Sequence, residues 1–325
     1  MRAVVNTGDG IGVIDAGEQG EDELRGVRLS VISAGICGTD VSFAAAGISG
    51  FIYGHEFAGI DDNGTAYFVE PTIYGGQCAE CRSGNTQRCT EPGHGTLGVF
   101  RNGGMADSVV VPDYTLLALP PQLDVRDACL IEPGSVAWHG VRRAQVKPHE
   151  RFLVVGGGTI GLLAAAAAQH TGHDADVDAR YDHQAEAAER LGFGRPGGSY
   201  DVVLDAAGTE SSLARSATAV RPGGRIVSLG VYTETMPVPG VVSLTEELSY
   251  INSIAYGRHG SVREVGEVAS MLAAKPHIAK TLITHRYPID DAREAFRVAA
   301  DRKAGAIKVV IEPAARSPIG TTLSH

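Results

Sequence analysis

Val154-Val155-Gly156-Gly157-Gly158-Thr159-Ile160-Gly161 carries the pattern GxGxxG at Gly156, Gly158 and Gly161. An apolar run, Arg151–Val155, leads into it, and a long Ala-rich run follows. That order predicts a strand, a tight turn and a helix, the context in which the pattern binds a dinucleotide. Gly156 permits the turn, Gly158 lets the backbone approach a pyrophosphate, and Gly161 lets helix and strand pack closely. The helix that opens at Thr159 and Ile160 offers its first amides to the anion. The plainer reading, an ordinary Gly-rich turn, does not account for the flanking pattern.

Downstream, Val177 sits in a second strand, Gln184–Leu191 reads as a helix and Asp201–Asp205 as a third strand. Ser211–Val220 then reads as a helix and Arg225–Leu229 as a fourth strand. Such alternation means βαβ units and a doubly wound parallel sheet, assigned to residues 133–254. The second strand ends in Ala175-Asp176-Val177-Asp178-Ala179-Arg180. An acidic residue at this point takes the ribose 2′-OH of NAD, and Asp178 lies at the right distance. With Val177 facing the core, however, strand alternation puts Ala179 on the reading face and Asp178 on the other. A small residue followed by Arg180 suits a 2′-phosphate. The expected cofactor is therefore NADP(H), with NAD(H) possible through Asp178.

Upstream, residues 1–132 are β-rich. Val27–Ser33, Ala66–Val69, Asp107–Val111 and Leu116–Leu119 are short runs broken by Gly, Asn, Asp and Pro, as in a turn-rich barrel. Residues 255–325 return to mixed structure. Ser261–Ala274 and Ile289–Ala300 read as helices, Ile307–Ile311 as a strand, and the residues after Pro313 as a loose tail. A length of 325 residues suits two domains. With aromatics at 6%, the core must come mainly from Ala, Val, Leu and Ile. A net charge of −10 makes nucleic acid or an anionic membrane a poor partner. The longest apolar stretch, Leu162–Ala168, is too short to span a bilayer, and no signal peptide is visible. Five cysteines, an odd number, suggest thiols or metal ligands rather than disulfides, so the cytoplasm is the expected location.

Those cysteines direct attention to the first domain. Gly35-Ile36-Cys37-Gly38-Thr39-Asp40 sets a thiol beside a hydroxyl and a carboxylate; Gly54-His55-Glu56 and Ile131-Glu132-Pro133 follow. Cys37, His55, Glu56 and Glu132 would make a Zn²⁺ site with an open position. Asp40 could hold the second ring nitrogen of His55. Taken singly, these are equally a small buried hydrophobe, a satisfied core histidine and surface acids. Cys78-Ala79-Glu80-Cys81 with Cys89 is a second, separate metal signal.

Together these motifs resemble the zinc-containing medium-chain dehydrogenases/reductases, the zinc alcohol dehydrogenase family, in its polyol and threonine dehydrogenase-like branch. The resemblance rests on Gly35 to Asp40, Gly54-His55-Glu56-Phe57-Ala58-Gly59, Glu132-Pro133 with Ala137-Trp138-His139, and Gly156 to Gly161. Arg221-Pro222-Gly223-Gly224-Arg225 and Ile283-Thr284-His285-Arg286-Tyr287-Pro288 support it. It implies a GroES-like barrel domain closed by the C-terminal segment, catalytic zinc on Cys37 and His55, and Glu56 and Glu132 as exchanging or water-mediated ligands. It also implies hydride transfer between the nicotinamide and a secondary alcohol or polyol, with proton exit through Thr39, and a homodimer or homotetramer. Thr39, Asp40 and Glu56 are the candidate catalytic residues. A zinc-free quinone or enone reductase and a non-catalytic NADPH-binding protein are the rival readings.

The chain departs from the family twice. The loops between Asp40 and His55, and between Gly59 and Glu70, are short, which bears on pocket shape. The family's structural-zinc lobe has four Cys in the order C-x2-C-x2-C-x7-C, and Gly75 stands in the first position here. Three thiolates leave a tetrahedral site open, with Glu80, Glu91 or His94 as possible fourth ligands. One firmly held zinc per chain is the expectation.

Overall fold

A computed structural model describes residues 1–17, 26–232 and 235–313. The tail expected after Pro313 lies outside the described residues.

Five parallel strands set the frame of the nucleotide-binding half. Phe152–Val155 lies between Ala175–Asp178 and Tyr200–Asp205, and Val220–Ser228 and Ser249–Asn252 complete the sheet. Val154 stands opposite both Val177 and Leu204, so the middle of the sheet is apolar, as parallel sheets covered on both faces require. The helix Thr159–His170 is buried from Gly161 to Ala168 because the sheet and the helix Ile131–Ala144 enclose it. A run of Ala lets these backbones approach closely.

Two of these elements escaped the sequence reading. Ser249–Asn252 is short, polar and at the sheet edge, so it has no apolar pattern. The helix Ile131–Ala144 contains Glu-Pro-Gly near its start, which reads as a breaker. A proline in the first turn is tolerated, because the amide it lacks has no intrahelical partner there.

The second sheet runs Ile283–Pro288, Lys308–Glu312, Val27–Gly35, Glu56–Asp61, Ala66–Val69, Leu116–Ala118, with Ser108–Val111 also pairing with Val27–Gly35. Lys308–Glu312 is thus inserted beside Val27–Gly35, with Val310 opposite Gly35. Leu29, Val31, Ala34, Phe57 and Val309 fill the core beneath. The helix expected from Ser261 starts at Glu264, because Val262 and Arg263 pair with Arg258 and His259 in a small hairpin. The helix expected from Ile289 begins as a 3₁₀ turn, Ile289–Asp291, before Ala292–Ala300.

At the glycine loop, Gly156 has φ +114°, a region closed to most side chains, and its N–H donates to the Asp178 carbonyl at 2.9 Å. A Cβ on Gly161 would run into the Gly156 carbonyl oxygen. A Cβ on Gly158, by contrast, would meet nothing within 4 Å. Two separable phenotypes are expected. Gly161→Ala should lose about 1–3 kcal/mol in chemical denaturation, the usual cost of overpacking. Gly158→Ala should match the wild type in stability and lose dinucleotide affinity in a fluorescence titration. Equal stability of both variants would contradict the packing described.

Candidate active site

Cys37 follows the strand Val27–Gly35 by two residues and caps the helix Gly38–Ala45; its N–H donates to Asp40 Oδ2 at 2.8 Å. Asp40 rather than Thr39 therefore closes the first turn, as the N3 acid of a capping arrangement. Gly54, with φ +94°, turns the chain so that His55 stands just before the strand Glu56–Asp61 and Glu56 opens it. A ligating atom from each of Cys37, His55 and Glu56 lies within 4.8 Å of the other two. Glu132, the second residue of the helix Ile131–Ala144, is buried nearby but stands outside that trio.

Charge explains what this cluster lacks. His55 Nδ1 faces Asp40 Oδ1 at 3.7 Å, and neither atom has a hydrogen-bond partner among the described residues. Burial works against the charged imidazole, but Asp40, Cys37 and Glu132 outweigh it and hold His55 well above its usual value. Burial pushes the Glu132 carboxyl up to about 7, with His55 opposing and Glu56 adding to the shift. Burial also raises Asp40, against the pull of His55. Three buried carboxyls and a thiol thus crowd one imidazole and one ammonium. One sulfur, one ring nitrogen and one or two carboxylates fit a divalent zinc ion, which would supply the missing positive charge.

The ammonium belongs to Lys308, which the sequence reading missed. Its Nζ is buried and donates to Glu56 Oε2 at 2.5 Å and to the Ile36 carbonyl at 3.0 Å. In sequence it is one strand residue among Val and Ile, with no local signal. Tyr256 was missed as well. It is 1% exposed, its hydroxyl has no hydrogen-bond partner among the described residues, and burial together with Glu132 and Glu70 holds it well above its usual value. Cys129 is buried, its thiol pushed up to about 12 by burial, and it is not part of the trio. Thr39 is half-buried on the first turn of its helix.

A cleft of about 730 Å³ joins this cluster to the glycine loop. Ile36, Cys37 and Glu56 line one end, and Gly156, Gly157, Gly158, Thr159 and Ile160 line the other. Thr159 Oγ1 donates to the Ile307 carbonyl at 2.7 Å, so the dinucleotide helix is tied to the residue that leads into the strand carrying Lys308.

The far end corrects the expected strand phase. Asp178 and Arg180 line the cleft, whereas Ala179 turns toward the glycine loop, its Cβ 2.7 Å from where a Cβ on Gly157 would be. Val177 does face the core. The strand ends at Asp178, however, and alternation cannot be carried past its last residue to Ala179. Asp178 Oδ2 accepts from Arg215 Nε at 2.6 Å, and Arg215 lines the cleft too. Arg215 lies on a later helix, beyond the reach of a local motif.

Residues 23–121 match the alcohol dehydrogenase GroES-like domain, and residues 173–311 match the zinc-binding dehydrogenase domain. L-galactonate-5-dehydrogenase of Escherichia coli K12 is 30% identical over 301 residues, covering 82% of this chain and 86% of that protein. L-arabinitol 4-dehydrogenase of Aureobasidium melanogenum is 29% identical over 337 residues, covering 88% and 87%. The cobalt- and zinc-bound thermostable alcohol dehydrogenase of Pyrobaculum aerophilum superposes with a TM-score of 0.82 at 25% identity, over 96% of this chain and 99% of that one. The chain belongs to the zinc-containing medium-chain dehydrogenases/reductases, the zinc alcohol dehydrogenase family. It is an oxidoreductase of the zinc-binding dehydrogenase type. Among the described residues no helix is long and apolar enough to cross a membrane.

Asp40→Asn should loosen zinc, because the neutral amide removes the negative charge that Asp40 sets 3.7 Å from His55 Nδ1. Partners of this kind are worth roughly 10–100-fold in metal affinity. Competition with a chromophoric chelator measures it, and unchanged affinity would mean that His55 is oriented by other contacts.

Proposed function

We propose that the protein transfers a hydride between a nicotinamide dinucleotide and a secondary hydroxyl of a polyol or sugar acid, interconverting alcohol and ketone. The cleft shared by Cys37, Glu56 and the glycine loop carries this reading. The sugar-acid and polyol substrates named for the two relatives support the substrate class. Cys37, His55 and Glu56 would hold the zinc, with Glu132 able to join or leave. Zinc, when bound, supplies Lewis-acid chemistry at the substrate oxygen.

The chain's own residues do the rest. Asp40 keeps Nδ1 of His55 protonated, leaving the other ring nitrogen free to ligate. Lys308 holds Glu56 at its post. The glycine loop and the first turn of its helix receive the pyrophosphate and so aim the nicotinamide toward Cys37. Thr39 moves the hydroxyl proton of the substrate. Asp40 already closes the helix end beside it, so capping does not account for Thr39.

At the ribose end, a cleft-facing Asp178 favours NAD(H), since a carboxylate accepts from the 2′-OH and repels a 2′-phosphate. NADP(H) remains the second reading because Arg180 and Arg215 both line the same wall. Turnover of a panel of polyols and sugar acids, run with NAD and NADP in parallel, tests substrate class and cofactor together. The expected result is activity on secondary hydroxyls with the higher kcat/KM for NAD, and an NADP rate that falls in Arg180→Ala while the NAD rate holds. A higher kcat/KM for NADP would overturn the cofactor assignment, and turnover confined to enones or quinones would overturn the substrate class.

Thr39→Val removes the only proton-carrying atom of that side chain. It should lower kcat by roughly 10²–10⁴-fold, the usual worth of a general acid–base step, while Thr39→Ser retains activity. A folded, zinc-replete Thr39→Val enzyme with wild-type kcat would sink the assignment.

A further inference from the structure

Four cationic side chains line the cleft, Arg180, Arg215, Arg302 and Lys308, together with two carboxylates, Glu56 and Asp178. Lys308 is bound to Glu56, and Arg215 Nε donates to Asp178 Oδ2 at 2.6 Å. Those pairs neutralise each other. Arg180 and Arg302 are left over, a local positive excess in a chain whose net charge is −10. Such an excess inside a cleft attracts an anionic ligand.

The two arginines stand at different places. Arg180 is at the ribose end, its guanidinium 5.8 Å from the ring centre of Tyr181. Arg302 lies in the turn 301–305, between the helix Ala292–Ala300 and the strand Lys308–Glu312. Hydrogen bonds fix the shape of that turn. Asp301 Oδ1 accepts from Lys303 N–H at 2.9 Å, and the Asp301 carbonyl accepts from Ala304 N–H at 3.0 Å. Gly305, with φ +80°, leads the chain out again. Ala300 before the turn and Ala306 after it both line the cleft, so the turn forms part of its wall. The next residue, Ile307, accepts from Thr159 Oγ1 at 2.7 Å through its carbonyl. Thr159 opens the helix whose first amides are free to receive a phosphate. The turn is thereby moored to the glycine loop, with Arg302 five residues from the mooring. Among the described residues Arg302 makes no hydrogen bond and no ion pair.

We propose that Arg302 binds the pyrophosphate of the dinucleotide from the wall formed by residues 299–309, which rests on the dinucleotide reading of the cleft. The glycine loop and its helix offer neutral amides and a partial positive charge, whereas a pyrophosphate carries full negative charge. A guanidinium supplies a full positive charge and donors spaced for phosphate oxygens. Bound cofactor then ties the turn, and with it the strand of Lys308, to the glycine loop. NAD and NADP share the pyrophosphate, so Arg302 does not choose between them, whereas Arg180 does.

Affinity for the two reduced dinucleotides, measured by fluorescence titration without substrate, tests the assignment. Arg302→Ala should weaken NADH and NADPH by the same factor, about tenfold, the usual worth of one charge-assisted hydrogen bond. ADP-ribose, which keeps the pyrophosphate, should lose as much in a displacement titration, and adenosine should lose nothing. Arg302→Lys should keep most of the affinity, and Arg302→Glu should lose more than Arg302→Ala. Added salt should weaken binding less steeply in Arg302→Ala than in the wild type. The melting temperature should be unchanged, since the side chain is exposed. Arg302→Ala protein that binds NADH as tightly as the wild type would overturn the proposal. So would a loss confined to NADPH, which would move Arg302 to the 2′-phosphate. Wild-type protein that binds neither dinucleotide would overturn the cofactor reading itself.

Discussion

A buried ion pair, Lys308 with Glu56, is the contact on which the site depends. Both side chains are almost fully enclosed, and two charges taken from water are costly unless they meet each other and further partners. Lys308 meets that requirement by donating to Glu56 and to the carbonyl of Ile36, the residue before Cys37. Removing either partner would leave an isolated charge in a region already crowded with carboxyls. The pair forms only if the strand Lys308–Glu312 lies beside Val27–Gly35, so the last described strand of the chain completes a site begun near its start.

The same strand and the residue leading into it join the two halves of the cleft. Ile36 N–H donates to the Val309 carbonyl at 3.0 Å, which fixes the approach to Cys37. The Ile307 carbonyl accepts from Thr159 at the opening of the dinucleotide helix. The cluster of Cys37, His55 and Glu56 and the glycine turn are thus referred to one piece of backbone. Their separation is set by strand register, and a rigid register suits a reaction that needs two bound groups at a fixed distance. The helix Ile131–Ala144 adds a second link. It places Glu132 near the cluster at one end and packs along Thr159–His170, and its His139 and Arg142 bind the buried carboxylate of Glu264. Glu264 also accepts from Gly257 N–H, which holds the Tyr256 segment against the same helix.

Readings that rested on local pattern held up differently from readings that needed long range. Gly156, Gly158 and Gly161 act within one turn, and the βαβ alternation around them is a matter of residue period, so both were legible. Asp178 was not, because alternation was extended one residue beyond the end of the strand. The start of the helix at Glu264 was misplaced because the preceding residues found a partner in a hairpin whose two strands are only two residues long. Lys308 and Arg215 gave no signal at all, since each gains its role from a residue far away in the chain, Glu56 in one case and Asp178 in the other.

By itself, the sequence determined the presence of a parallel sheet, the glycine turn between its strand Phe152–Val155 and the helix that follows, and the types of side chain available to hold zinc. These follow from period, from the steric freedom of glycine and from the donor chemistry of Cys, His and Glu, none of which requires knowing what lies across the fold. Only the tertiary structure decided which donors converge: that Cys37, His55 and Glu56 form one cluster, that Glu132 stands beside it, and that Asp178 and not Ala179 faces the cleft. The reason is that convergence is set by strand register and by burial, and both are fixed by distant parts of the chain packing together.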